Sequence, residues 1–75
     1  MAISDRITVD PKVMGGQPVI TGTRITVALI LREMGRGATP AEIIDQYPHL
    51  KLDDICAAAS YAADVVSGDT LLAAE

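Results

Sequence analysis

The chain has no phenylalanine and no tryptophan, and Tyr47 and Tyr61 are its only tyrosines. With 49% hydrophobic residues, any core must therefore be aliphatic and alanine-rich. Small side chains bury little apolar area each. A chain of 75 residues also buries only about 60% of the surface it exposes when unfolded. Self-association would add stability that such a monomer lacks, so a homodimer is expected.

Cysteine and histidine are equally scarce. The single cysteine, Cys56, has no internal disulfide partner. That excludes a disulfide-stapled secreted miniprotein and fits a reducing compartment. A zinc site needs three or four ligands at fixed spacing, and Cys56 with His49, the one histidine, does not supply them. Cys56 is expected as a small apolar filler and His49 as a surface turn residue, and no metal or cofactor is expected. Long apolar runs are missing too. No stretch approaches the roughly 20 residues needed to cross a bilayer. The opening "MAISDRITVD" lacks the basic-then-apolar order of a signal peptide. The expectation is a soluble cytoplasmic protein with no membrane contact.

Charge is present but uneven. The net charge is −4. Residues 1–36 carry Arg6, Lys12, Arg24, Arg32 and Arg36 against Asp5, Asp10 and Glu33, a balance of +2. Residues 37–75 carry Lys51 alone against seven acids, a balance of −6. A polyanion is attracted to the front of such a chain and a basic protein to its back.

The tetrapeptide Arg-Ile-Thr-Val occurs at 6–9 and again at 24–27. The first copy alternates polar and apolar, is β-branched at three of four positions, and stops at Asp10-Pro11. It reads as a short strand. The second runs into "ALILREMG", where apolar residues at 27, 30, 31 and 34 mark one face of a helix. Thr26 stands where an N-cap belongs. The second copy thus reads as a strand end becoming a helix start. Between the copies, "KVMGGQPVITGT" is punctuated by Gly15, Gly16, Pro18 and Gly22. It reads as a loop with extended residues at Val19-Ile20. The spacing from Gly16 to Gly22 is one residue too long for a phosphate-binding loop, and Thr23 stands where its lysine belongs.

Gly35 or Gly37 closes the first helix. "TPAE" at 39–42 then combines an N-cap threonine, a proline at the first helical position and a glutamate three after the cap. The second helix covers about 40–47, with Ile43, Ile44 and Tyr47 inward, and Pro48 stops it. A third is expected over 52–66, with Leu52, Ile55, Ala59, Ala62 and Val66 as its buried stripe. Asp53 and Asp54 suit the dipole of its first turn. Ser67-Gly68-Asp69 is expected to interrupt it, and "TLLAAE" either forms a short fourth helix or frays. The chain thus divides into a strand and Gly/Pro-rich loop (1–25), a trihelical core (26–66) and a tail (67–75), all within one domain. The strand at 6–9 needs a partner. Val19-Ile20, Ile25 and a second chain are all available.

A short helix, a tight turn and a longer helix outline a helix-turn-helix, and a plain three-helix bundle has the same outline. "DPKVMGGQPVITGTRITVALIL" followed by "GATPAEIIDQYPHLKLDDICAAASYAA" is similar to the bacterial and archaeal family known as domain of unknown function 433 (DUF433). The likeness covers about Arg6 to Asp64. It implies a mainly α, homeodomain-like or winged-helix-like trihelical fold with a short N-terminal β-strand. It also implies an antitoxin-like role beside a small PIN-type toxin. One departure is Lys51, where similar sequences place Thr or Ser before the third helix. Lysine does not cap an N-terminus. Either that start is weaker, or Lys51 turns outward to a phosphate, or the change is a neutral surface one.

The candidate contacts to nucleic acid or partner are Arg6, Lys12, Arg24, Arg36 and Lys51. For Arg24 the alternatives are a phosphate or carboxylate contact and a structural one to loop carbonyls. Readout by the third helix is disfavoured, because Asp53 and Asp54 sit among its early positions and repel phosphates. No nucleophile is paired with a base, so catalysis is not expected. The leading reading is an antitoxin-like regulator binding a toxin protein and DNA. The alternative is a protein-interaction or dimerisation module with no DNA binding.

Overall fold

The computed structural model describes the backbone of residues 5–74 and the side chains of residues 5–68. The protein is mainly helical, with three helices and a two-stranded antiparallel sheet. Strand β1 (Ile7–Thr8) pairs with β2 (Val19–Ile20) in the register Ile7 to Ile20 and Thr8 to Val19. The first Arg-Ile-Thr-Val copy is therefore a strand, and it finds its partner within its own chain.

The second copy closes the other side of β2. Ile20 N–H donates to the Ile25 carbonyl at 2.9 Å, and Val27 N–H donates to the Pro18 carbonyl at 2.9 Å. One residue later the chain is helical. Thr26 keeps an extended backbone, and its hydroxyl accepts the Leu29 N–H at 3.0 Å, capping α1 (Val27–Gly35). The same four residues form two structures because Asp10-Pro11 ends the first pattern while a 3.6-residue period continues the second.

The left-handed glycine that closes helix α1 is Gly37, two residues after its last helical residue, Gly35. Gly37 has φ +97°, its N–H donates to the Met34 carbonyl, and Ala38 N–H donates to that of Glu33. This is a Schellman closure, and the left-handed residue it requires is glycine here. Helix α2 (Pro40–Gln46) begins with the full capping box. Glu42 N–H donates to Thr39 Oγ1 at 3.2 Å, and Thr39 N–H donates to Glu42 Oε1 at 2.7 Å.

Helix α3 (Leu52–Ala74) is longer than its sequence suggests. It runs without interruption through Ser67-Gly68-Asp69, so no separate fourth helix forms over the described residues, and Glu75 lies outside them. A single glycine costs a helix only about 1 kcal/mol, less than a break in the hydrogen-bond ladder. The buried stripe is also partly displaced. Ile55 and Ala58 are fully buried, while Leu52 is 56% and Val66 63% exposed. Leu52 faces out because Asp54, two residues on and so about 200° around the helix, is turned inward. Val66 lies about two turns beyond Ala58, the last buried position of α3 among the described residues.

The core is aliphatic, as the composition requires. Ile7, Ile20, Val27, Ile30, Ile43, Leu50, Ile55 and Ala58 form one cluster drawn from every element. Ile44, Tyr47 and Tyr61 pack against it. Cys56 is exposed rather than filling the core, and His49 is exposed in the turn after α2.

Candidate functional site

Two polar features involve the candidate cations. The first is a cleft of about 360 Å³ beside the sheet, lined by Thr8, Asp10, Val13, Gly22, Thr23 and Arg24 among others. Its rim is a turn in which Thr23 N–H donates to the Ile20 carbonyl, with Gly22 at φ +82° in the third position. That position takes glycine in a type II turn. Thr23 locks the turn from both sides. Its hydroxyl donates to the Ile20 carbonyl at 2.8 Å and accepts the Ile25 N–H at 3.0 Å. The opposite wall is the turn at Asp10, whose Oδ1 accepts the Lys12 N–H at 2.9 Å.

These two turns bring Asp10, Val13 and Arg24 to one cleft, and Lys12 lies in the Asp10 turn without lining it. Both cations are exposed, and neither side chain has a hydrogen-bonding or ionic partner among the described residues. The structural alternative for Arg24, a bond to loop carbonyls, is therefore not what holds the corner. The Thr23 hydroxyl does that. The threonine hydroxyls of this cleft are engaged within the fold, so Arg24 is the group it offers to an oxyanion, beside the Asp10 carboxylate.

The second feature joins the N-terminal strand to the start of α3. Arg6 Nη1 donates to Asp54 Oδ1 at 2.9 Å, and Arg6 Nη2 lies 3.4 Å from Asp53 Oδ2. Asp54 has only 9% of its side chain exposed, against 39% for Arg6. The hydrogen bond to Asp54 is the main reason the Arg6 pKa is raised above its ordinary value. Desolvation opposes that shift, and the charges of Asp54, Asp53 and Asp5 add to it. The other oxygen of Asp54 accepts the Lys51 N–H at 2.9 Å. This is the returning half of a capping box, made without the hydroxyl half. The helix that lacks a capping side chain at Lys51 thus starts on a buried carboxylate instead.

The five candidates therefore separate. Arg24 lines the cleft, and Lys12 lies in the adjoining Asp10 turn. Arg6 is engaged with the two aspartates. Lys51 lies at the opening of α3, where its backbone is used and its side chain is exposed. Arg36 stands at the far end of α1, 3.4 Å from Glu33 Oε2 and 74% exposed. Sequence reasoning placed Asp54 on the exposed face of α3, whereas it is the pivot of this junction. An aspartate three residues after a residue that cannot cap was the available signal. A third feature, an apolar groove between α1 and α3, includes Leu31, Tyr61, Ala62 and Val65 in its lining.

Fold and surface thus define a small trihelical domain capped by a two-stranded sheet, with a cleft beside the sheet lined by Arg24 and Asp10. The chain belongs to the DUF433 family, described as a protein of unknown function, whose model matches residues 7–62. It is similar to the crystal structure of a DUF433 member protein from Anabaena variabilis ATCC 29413, at 36% identity and a TM-score of 0.74. That match covers 77% of this chain and 57% of the other, so the chain spans little more than half the length of that protein. Comparison with curated proteins finds no match. No helix is long and apolar enough to cross a membrane among the described residues.

Proposed function

We propose that the protein is a small antitoxin-like regulator of helix-turn-helix type, acting in dimeric form. It binds a basic protein toxin through its acidic side and DNA phosphates through Arg24 and Lys12. The observation that carries this reading is the segregation of charge. Arg24 lines the cleft and Lys12 stands in the adjoining turn, both without a side-chain partner among the described residues, while Asp45 on α2 and Asp53 on α3 are exposed acids. The arrangement of α2, the Tyr47–Lys51 turn and α3 fits a helix-turn-helix. Lys51 and Asp53 are both exposed at the start of α3. An aspartate there favours anchoring on phosphates by the cleft over base reading by α3.

A second reading, an interaction module that never binds DNA, is favoured by Arg6. Its guanidinium is held by Asp54 and Asp53, which removes one of the five cations from the DNA-facing set.

Two measurements test the proposal. Tagged protein drawn from its native lysate with nuclease present should retain a small basic protein. Binding of the purified chain to duplex DNA should weaken with salt, and in Lys12→Ala/Arg24→Ala the slope of log affinity against log salt should fall by about 0.9 per lost phosphate contact. An unchanged slope in that variant removes the cleft from the DNA reading. No retained protein removes the antitoxin reading under those growth conditions.

A further inference from the structure

The groove between α1 and α3 is the largely apolar concavity among the described residues, and the function proposed above leaves it unoccupied. Ala28 and Leu31 of α1 form one wall, and Tyr61, Ala62, Val65 and Val66 of α3 form the other, around a volume of about 360 Å³. Val65 is 41% and Val66 63% exposed. By rise per residue α3 is about 34 Å long, while α1 and α2 are about 13 and 10 Å, so neither can run along its full length.

Charge indicates what fills the groove. Arg32 follows Ala28 by one turn of α1, and Asp64 follows Tyr61 by about one turn of α3. The two walls thus carry opposite charges at their edges. Both residues are exposed, and neither has an ionic partner among the described residues. A surface whose one edge is basic and whose other is acidic is complementary to itself under a two-fold axis, because residue i then meets residue j twice. Ala28 and Ala62 are small, so a second helix can approach closely between the walls. A standard interface takes roughly 800 Å² from each partner, about one sixth of the 5044 Å² surface of this chain.

We infer that the groove between α1 and α3 is the homodimer interface. The overhanging half of α3 from each copy lies in the groove of the other, with Asp64 of one copy opposite Arg32 of its mate. This rests on the dimeric part of the reading above. The experiment needs neither DNA nor toxin, so its failure leaves the binding of those partners standing.

Sedimentation equilibrium of the purified chain, up to its highest soluble concentration, should give a species of about 16 kDa, twice the chain mass of 7.9 kDa. In Val65→Glu/Val66→Glu, the dimer dissociation constant should rise by about 100-fold or more. The far-ultraviolet circular dichroism should be kept, since both residues are exposed and glutamate suits a helix. Arg32→Glu and Asp64→Lys should each weaken the dimer by about two- to five-fold, as exposed ion pairs do. The two together should recover the wild-type value. A monomer at every concentration overturns the inference and leaves the groove to a different protein. A dimer indifferent to the glutamates, or charge reversals that add instead of cancelling, places the interface elsewhere and overturns it equally.

Discussion

Asp54 links more of the molecule than any other polar residue described. One oxygen holds Arg6 from the N-terminal strand, and the other takes the Lys51 N–H at the start of α3. Replacing it with alanine leaves that N–H without its carboxylate and opens a gap beside Ile55. A hydrogen bond to a charged group contributes about 1.5–3 kcal/mol, so Asp54→Ala should lower the unfolding free energy in urea by about that amount. Asp54→Asn, which can still accept the bond, should lose less. Arg6 itself supplies no pH switch. A raised pKa means that its contribution is fully present below the ordinary guanidinium value and is lost only as pH climbs through the still higher folded one. The stability difference between wild type and Arg6→Met should therefore stay flat between about pH 6 and 9, and a step in that window would show that another group controls the junction. This junction was the least legible part of the sequence. Arg6 and Asp54 lie 48 residues apart, and local pattern carries no information about which distant charges meet. The cleft was half legible. Glycine spacing announced the turn at Gly22, but only the fold brings Asp10 and Val13 to the same cleft.

The helices were legible to the degree that their signals were local. Thr26, Thr39-Pro40-Ala41-Glu42 and Gly37 each mark an end through bonds within four residues, and those ends stand where the residues place them. Strand pairing was legible only as a set of alternatives, because Val19-Ile20 and Ile25 offer the same β-branched edge and the choice between them is tertiary. Helix α3 misled for a related reason. Ser-Gly-Asp favours turns in isolation, yet a helix already under way continues through such residues at small cost. Gly68 has no atom within 4 Å of where a Cβ would lie and no positive φ. Gly68→Ala should therefore raise stability, or the helical signal at 222 nm, by up to about 1 kcal/mol in free-energy terms. A loss of stability in that variant would mean that α3 does break there.

At the scale of the whole molecule, the three helices follow one another closely in sequence, while the N-terminal strand meets α3 from far away. The short turns joining α1, α2 and α3 let those helices meet early. The contact between Arg6 and Asp54 instead closes 48 residues of chain, an entropic cost that must be met before the contact returns anything. The expected consequence is that the N-terminal strand docks after the three helices and leaves before them. In a stopped-flow experiment, Arg6→Met should accordingly steepen nothing on the refolding limb and quicken only the unfolding limb. The N-terminal strand then acts as a latch on time rather than on shape, setting how long a folded molecule lasts while the helices decide how fast it arises.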